Sequence, residues 1–255
     1  MVKIMLDPGH GGSDPGAVGN GLREKDLTLS ISKKIRDRLK DYENVQVKLS
    51  REGDQTLSLS ARANAANAWG ADYYMSIHIN SAAGSNGTGF ETFIYNGGVN
   101  QPTIASQNVV HAEILKAIGM KDRGKKRANF LVLRTTRMNA ILTENGFINN
   151  PADAALLKQD AFLDKVAQGH VNGLVAFYGL KMKPTIKAAT IKEVEPVTKR
   201  DINIVSDWAA DDWEEARVNG YFDGSRPGAP ITREEAAIVV NRLRKNILEL
   251  IEHNK

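Results

Sequence analysis

The sequence predicts an α/β fold over residues 1–180, a basic linker over 181–200 and a small all-α module over 201–255. Three observations lead there. Short apolar runs alternate with amphipathic stretches through the first 180 residues, the mark of strands interleaved with helices. Residues 181–200 break that rhythm with Pro184, Pro196 and six Lys/Arg against two Glu. Beyond them an apolar stripe returns at helical spacing.

In chain order, strands are expected at Val2–Leu6, Val45–Leu49, Tyr73–Ile79, Phe90–Tyr95, Phe130–Leu133 and Ala140–Ile148. Leu27, Ile31, Ile35 and Leu39 recur at helical spacing, with Asp26 as the expected cap. The Ala-rich segment Leu59–Trp69 and the segments Ile104–Ile118 and Ala161–Tyr178 complete the helices. Ser81–Gly89 is rich in Gly, Ser and Asn and reads as a surface loop. In the last module Thr232 and Glu235 form a capping box. The helix it opens is striped by Ala236, Val239, Val240, Leu243, Ile247, Leu250 and Ile251.

Composition narrows the chemistry. The chain of 255 residues is long enough for one sizeable core and a small second module. No run approaches the ~18 apolar residues of a membrane span. The chain enters a strand directly, with no basic n-region or apolar h-region, so synthesis in the cytoplasm without a signal peptide is expected. The absence of cysteine excludes disulfides and thiolate ligands, which leaves His, Asp and Glu for any metal. The net charge of +4 lies entirely within 181–200, since the rest carries 28 basic and 28 acidic residues. A nucleic-acid partner would rest on that linker alone and is not expected. The linker reads as a solvated connector, or as one lying near an anionic polymer.

Four short segments carry candidate chemistry. The first strand runs into Asp7-Pro8-Gly9-His10-Gly11-Gly12, which presents an imidazole on a bare turn. Glu24 follows fourteen residues later, and Tyr74-Met75-Ser76-Ile77-His78-Ile79-Asn80 delivers a second histidine. Strand alternation puts Tyr74, Ser76, His78 and Asn80 on one polar face. Two histidines and a carboxylate make a catalytic zinc set with a fourth position for water. Each also has a plainer reading: His10 as a turn residue, His78 as a satisfied core histidine, Glu24 as a solvated charge. Glu144 sits in Ala140-Ile141-Leu142-Thr143-Glu144-Asn145-Gly146-Phe147-Ile148, which holds no basic residue. A carboxylate buried there must pair, with Arg62 as one partner, or protonate, or face a metal. His111, His170 and His253 carry no ligand spacing and read as structural or surface residues.

Taken in order, the segments Asp7–Gly12, Glu24, Ser76-Ile77-His78-Ile79-Asn80-Ser81 and Thr143-Glu144-Asn145-Gly146-Phe147 with Asn149-Asn150-Pro151 resemble the zinc-dependent N-acetylmuramoyl-L-alanine amidases of the Amidase_3 family. The resemblance spans residues 1–180. It implies a mixed, mostly parallel sheet flanked by helices, with zinc held by His10, Glu24 and His78. Glu144 would correspond to the family's catalytic glutamate, and peptidoglycan would be the substrate, cut between N-acetylmuramic acid and L-alanine. Arg62 and Asn80, with the loop Ser81–Gly89, are expected to wall the glycopeptide, and the glycines around His10 to leave room for it. One departure is the Thr before and the Asn after Glu144, where many members carry a hydrophobic residue and a small or β-branched one. The enzyme would act in cell lysis or wall turnover, after holin-type release or lysis of the cell.

Residues 201–255 are similar to a single S-layer-homology-like unit, through Trp208, Trp213, Asp223-Gly224-Ser225 and Thr232-Arg233-Glu234-Glu235. That implies binding of a secondary wall polymer; the alternative is a helical hairpin that dimerises through its long stripe into a homodimer. Two other readings of the chain stay open at this stage: a zinc peptidase acting on the stem peptide, and a catalytically inactive wall-binding protein.

Overall fold

The apolar run after Met1 forms β1 (Val2–Pro8), whose alternate residues bury on both sides of a sheet. A computed structural model describes residues 1–84, 86–184, 210–220 and 240. The chain divides into two units, Met1–Thr185 and Ile186–Lys255. In the first unit, β1 is followed by the small strands β2 (Val18–Gly19) and β3 (Leu22–Arg23), then α1 (Glu24–Leu39), β4 (Val45–Leu49), α2 (Leu59–Trp69) and β5 (Tyr73–Asn80). Next come β6 (Phe90–Tyr95), α3 (Gln101–Ile118), β7 (Asp122–Ala128), α4 (Leu131–Thr135), β8 (Asn139–Phe147), α5 (Pro151–Leu157) and α6 (Asp160–Tyr178). In the second unit the described element is α7 (Ala210–Val218), which contains Trp213. The capping box and stripe expected near Thr232 lie outside the described residues, Val240 excepted.

Six strands form one sheet in the order β4-β1-β5-β8-β6-β7. The pairings β1–β4, β1–β5 and β5–β8 are parallel, β6 runs antiparallel to β8, and β7 is parallel to β6. The sheet is therefore mixed and mostly parallel, as the resemblance implied. A large core cluster joins Ile4, Leu6, Tyr73, Met75 and Ile77 to Leu27, Ile31 and Ile35 of α1 and to residues of α3 and α6. A smaller one, with Met5, Tyr74, Ala140 and Leu142, packs under Ala66 of α2 and under Val132 and Leu133 of α4. This second face carries Asp7, Ser76, His78 and Glu144 further along the same strands, with Arg62 of α2 on Asp7.

Several elements differ from the sequence reading. Phe130–Leu133 is not a strand: Leu133 N and Arg134 N both donate to Phe130 O, which starts the single turn of α4. A four-residue apolar run fits either state by periodicity, and here it covers the small cluster. The edge strand is instead β7, Asp122-Arg123-Gly124-Lys125-Lys126-Arg127-Ala128. Its charges conceal a strand pattern while protecting an open edge. Asp26 does not cap α1. Pro15 O and Ala17 O accept from Lys25 N and Glu24 N, so the incoming loop satisfies the first turn. Residues 181–183, expected in the linker, are fastened to the loop after α1 by Glu43 N→Lys181 O and Lys183 N→Asp41 O.

Candidate metal centre

Strand ends and one helix start bring three of the expected residues together. His10 leaves β1 on a turn, Glu24 opens α1, and His78 lies near the end of β5. One ligand atom from each lies within 4.8 Å of the others. Glu24 Oε2 is 3.2 Å from His10 Nε2, and Glu24 Oε1 is 2.9 Å from His78 Nδ1. The two rings stand edge to face, with centroids 5.0 Å apart.

The surroundings hold these side chains in place. Glu24, 4% exposed, accepts from Ala17 N at 2.8 Å and Ile79 N at 3.0 Å. Among the described residues no lysine or arginine pairs with it. Burial works against its charge, yet the histidine hydrogen bonds outweigh burial and hold the carboxyl well below the usual range. His10 Nδ1 lies 2.8 Å from Asp14 Oδ2, a partner the sequence reading missed although it stands four residues away in the same turn. His10 itself adopts φ 61°, a costly conformation for a side chain that is neither Gly nor Asn.

Two buried arginines keep that turn. Arg62 is 3% exposed and donates to Asp7 Oδ1 at 2.9 Å, Pro8 O at 2.6 Å and His10 O at 2.6 Å. Arg51 donates to Pro8 O and Gly9 O, each at 3.0 Å. Asp7 takes further hydrogen bonds from Ser50, Tyr74 and Ser76. Burial opposes the charge of Asp7; Arg62 and those hydroxyls overcome it and lower its pKa. Arg62 pairs with Asp7 rather than with Glu144, and it also lines the cavity beside His10 and His78.

The glycines also serve the site from within. A Cβ on Gly9 would stand 2.3 Å from the His78 ring, and one on Gly16 2.6 Å from both Glu24 Oε2 and the His10 ring. They make room for the three candidate ligands, ahead of any substrate. A cavity of about 240 Å³ opens beside them, lined by His10 and His78 and by the apolar Leu57, Leu59 and Val132.

Glu144 lies on the neighbouring strand, its Cα paired with that of His78 on one side and of Glu91 on the other. Its Oε2 is sealed from solvent and has no partner among the described residues. Burial, then the like charges of Glu24 and Glu91, push its pKa well above the ordinary carboxylate value. Asn80 Nδ2 donates to Glu91 Oε1 at 2.7 Å, and Asn80 Oδ1 accepts from Ser81 N, so Asn80 ties the strand end to β6.

His111 and His170 stand apart. His111 bridges Thr92 and Asp122, and buried His170 sits between Thr143 Oγ1 and Val166 O with its pKa pushed down to about 4 by burial.

The donor set suits a divalent cation. Two imidazoles and one carboxylate converge, with no lysine or arginine paired to them among the described residues, and an unpartnered carboxyl oxygen lies on the adjacent strand.

Comparison with known proteins gives the family and the fold. Residues 4–176 match the family model Amidase_3, described as N-acetylmuramoyl-L-alanine amidase. The chain is 55% identical over 181 residues to the N-acetylmuramoyl-L-alanine amidase CwlM of Bacillus licheniformis, covering 71% of this chain and 70% of that one. It is 44% identical to the endolysin of Bacillus phage SPP1, over 81% of this chain and 78% of the phage protein. Among solved structures, the catalytic domain of CwlV, an amidase from Bacillus (Paenibacillus) polymyxa var. colistinus, superposes with a TM-score of 0.68 at 34% identity. That match covers 71% of this chain and 100% of the other. By sequence and fold, this chain belongs to the Amidase_3 family of N-acetylmuramoyl-L-alanine amidases.

Proposed function

We propose that this protein is a zinc-dependent peptidoglycan amidase that cuts the bond between the lactyl group of N-acetylmuramic acid and L-alanine. One observation carries the reading: an unpartnered, sealed carboxyl oxygen on Glu144 stands one strand from the convergent His10, Glu24 and His78. Those three residues would hold the ion, which when bound polarises the scissile carbonyl and makes water acidic enough to attack near neutral pH.

The chain's own groups do the rest. Asp14 accepts from His10 Nδ1–H and so leaves Nε2 as the ligating lone pair. Glu24 is fixed by two backbone N–H groups, so its carboxylate does not swing away when the site is empty. Arg51 and Arg62 pin the carbonyls of the His10 turn and hold the imidazole at its strained φ. The Glu144 carboxylate would receive a proton from the attacking water and return it to the departing alanine nitrogen, which then leaves as an amine. The raised proton affinity of Glu144 favours its taking up a proton from water. Residues 201–255 are proposed to attach the enzyme to a wall polymer, with dimerisation through the last helix as the other outcome of a binding assay.

Digestion of purified Gram-positive walls tests the activity. Newly freed L-alanine amino termini, without new reducing sugar ends or free single amino acids, are expected. Release of single amino acids would instead make the protein a peptidase on the stem peptide, and no release would leave an inactive wall binder.

A further inference from the structure

Beyond Glu144 the sheet continues into a cluster of charge that the amide chemistry leaves unused. Glu91 of β6 is Cα-paired with Glu144 and is 3% exposed. Two cations from the edge strand β7 converge on its single Oε2, Arg123 through Nε at 2.8 Å and Lys126 through Nζ. Two positive groups on one buried carboxylate leave a surplus charge, and both remain accessible, Arg123 29% and Lys126 38% exposed by side chain.

Arg123 is held on two sides. Its Nε is anchored to Glu91, and its guanidinium carbon stands 4.6 Å from the centroid of the Phe147 ring on β8, the strand of Glu144. Among the described residues its Nη1 and Nη2 have no hydrogen-bond partner. A guanidinium with a fixed plane and a free two-donor edge is preorganised for a carboxylate or similar anion. Phe147 lies three residues along β8 from Glu144, so at about 3.3 Å per residue an anion on that edge lies on the order of 10 Å from Glu144, a span that two peptide residues and a hydrogen bond at each end cover.

We infer that Arg123, with Lys126 as the second cation, forms a subsite for a carboxylate on the peptide side of the scissile amide. The inference rests on the amidase reading. Its ligand is the free α-carboxylate of the isoglutamyl residue that follows L-alanine in the stem peptide, a group that is amidated in some walls. Glu91 is the positioning residue that aligns both cations, and Asn80 in turn holds its other oxygen.

The test uses two synthetic muramoyl dipeptides that differ only in this group, free carboxylate against carboxamide. The full-length zinc-loaded protein is expected to show a KM about tenfold lower for the carboxylate, as for one charge-assisted hydrogen-bond pair. In Arg123→Gln that preference is expected to vanish through a rise in KM for the carboxylate substrate, while Arg123→Lys retains part of it. Equal KM values in the wild type, with both substrates cleaved, would overturn the subsite. So would an equal loss on both substrates in Arg123→Gln. If Arg123→Gln does not fold, Lys126→Gln is read the same way, with a smaller loss of preference expected and no loss overturning the claim. Cleavage of neither dipeptide by the wild type, together with no activity on walls, would instead overturn the amidase reading beneath it.

Discussion

Glu144→Gln is expected to lower turnover about 10²–10⁴-fold while the protein still binds one zinc per chain. Gln keeps the shape of the side chain but has no carboxylate to take the water's proton. Because Glu144 lies outside the His10, Glu24 and His78 group, its loss leaves the candidate ligands untouched. The same variant carries a stability signature in chelated protein. Burial and the charges of Glu24 and Glu91 raise the folded pKa of Glu144 above the ordinary value of 4.5. From that ordinary value up to the raised one, the folded chain holds a proton that the unfolded chain has released. Stability from this group is therefore complete at low pH and declines as pH rises. Gln removes the decline, so the Tm of the variant minus that of the wild type should grow as pH rises above the ordinary carboxylate value. Full activity in Glu144→Gln, or a Tm difference independent of pH, contradicts the role given to this side chain.

The other large effect is expected from Glu24→Ala. This carboxylate faces both histidines and also caps the N–H groups of Ala17 and Ile79. Removing it deletes one donor and frees the loop between β1 and α1 from the end of β5. Changes to groups behind a metal's ligands alone cost 10–100-fold in affinity, so loss of a ligand should cost more than about 100-fold. Wall digestion should fall to background. The metal-free variant should also be destabilised by about 1–3 kcal/mol for each backbone group left unpaired in the interior. Zinc competition with a chromophoric chelator and thermal melts measure the two effects separately, and near-native zinc affinity would remove Glu24 from the ligand set.

The parts of this protein that were legible in its sequence share one property: their side chains repeat with the period of their element. Val2–Leu6, Val45–Leu49 and Tyr73–Ile79 read as strands because burial on the sheet demands it, and Leu27 to Leu39 reads as a helix for the same reason. His78 could be assigned to a polar face by alternation, and on that face it lines a cavity together with Leu59 of α2 and Val132 of α4. The edge strand β7 was illegible because its charged residues meet partners and solvent along an open edge, so no apolar period marks it. Asp14 and Arg51 escaped notice for another reason. Their importance lies in carbonyls and ring nitrogens that come near only when the His10 turn forms. Arg62 was noticed, but its pairing with Asp7 and two backbone carbonyls was not, since a sequence shows a cation without showing what awaits it. The glycines beside His10 were read as space for substrate; for Gly9 the close approach of the His78 ring is the nearer reason, and for Gly11 and Gly12 positive φ and the packing of Gln55 and Thr56.

The most direct test of the metal mechanism is zinc titration of chelated wild-type protein, with freed L-alanine amino termini on purified walls as the readout. Activity should vanish on chelation and return in proportion to added zinc, reaching its limit at one ion per chain. Undiminished release of L-alanine termini in the presence of excess chelator, from protein shown to contain no metal, would contradict it.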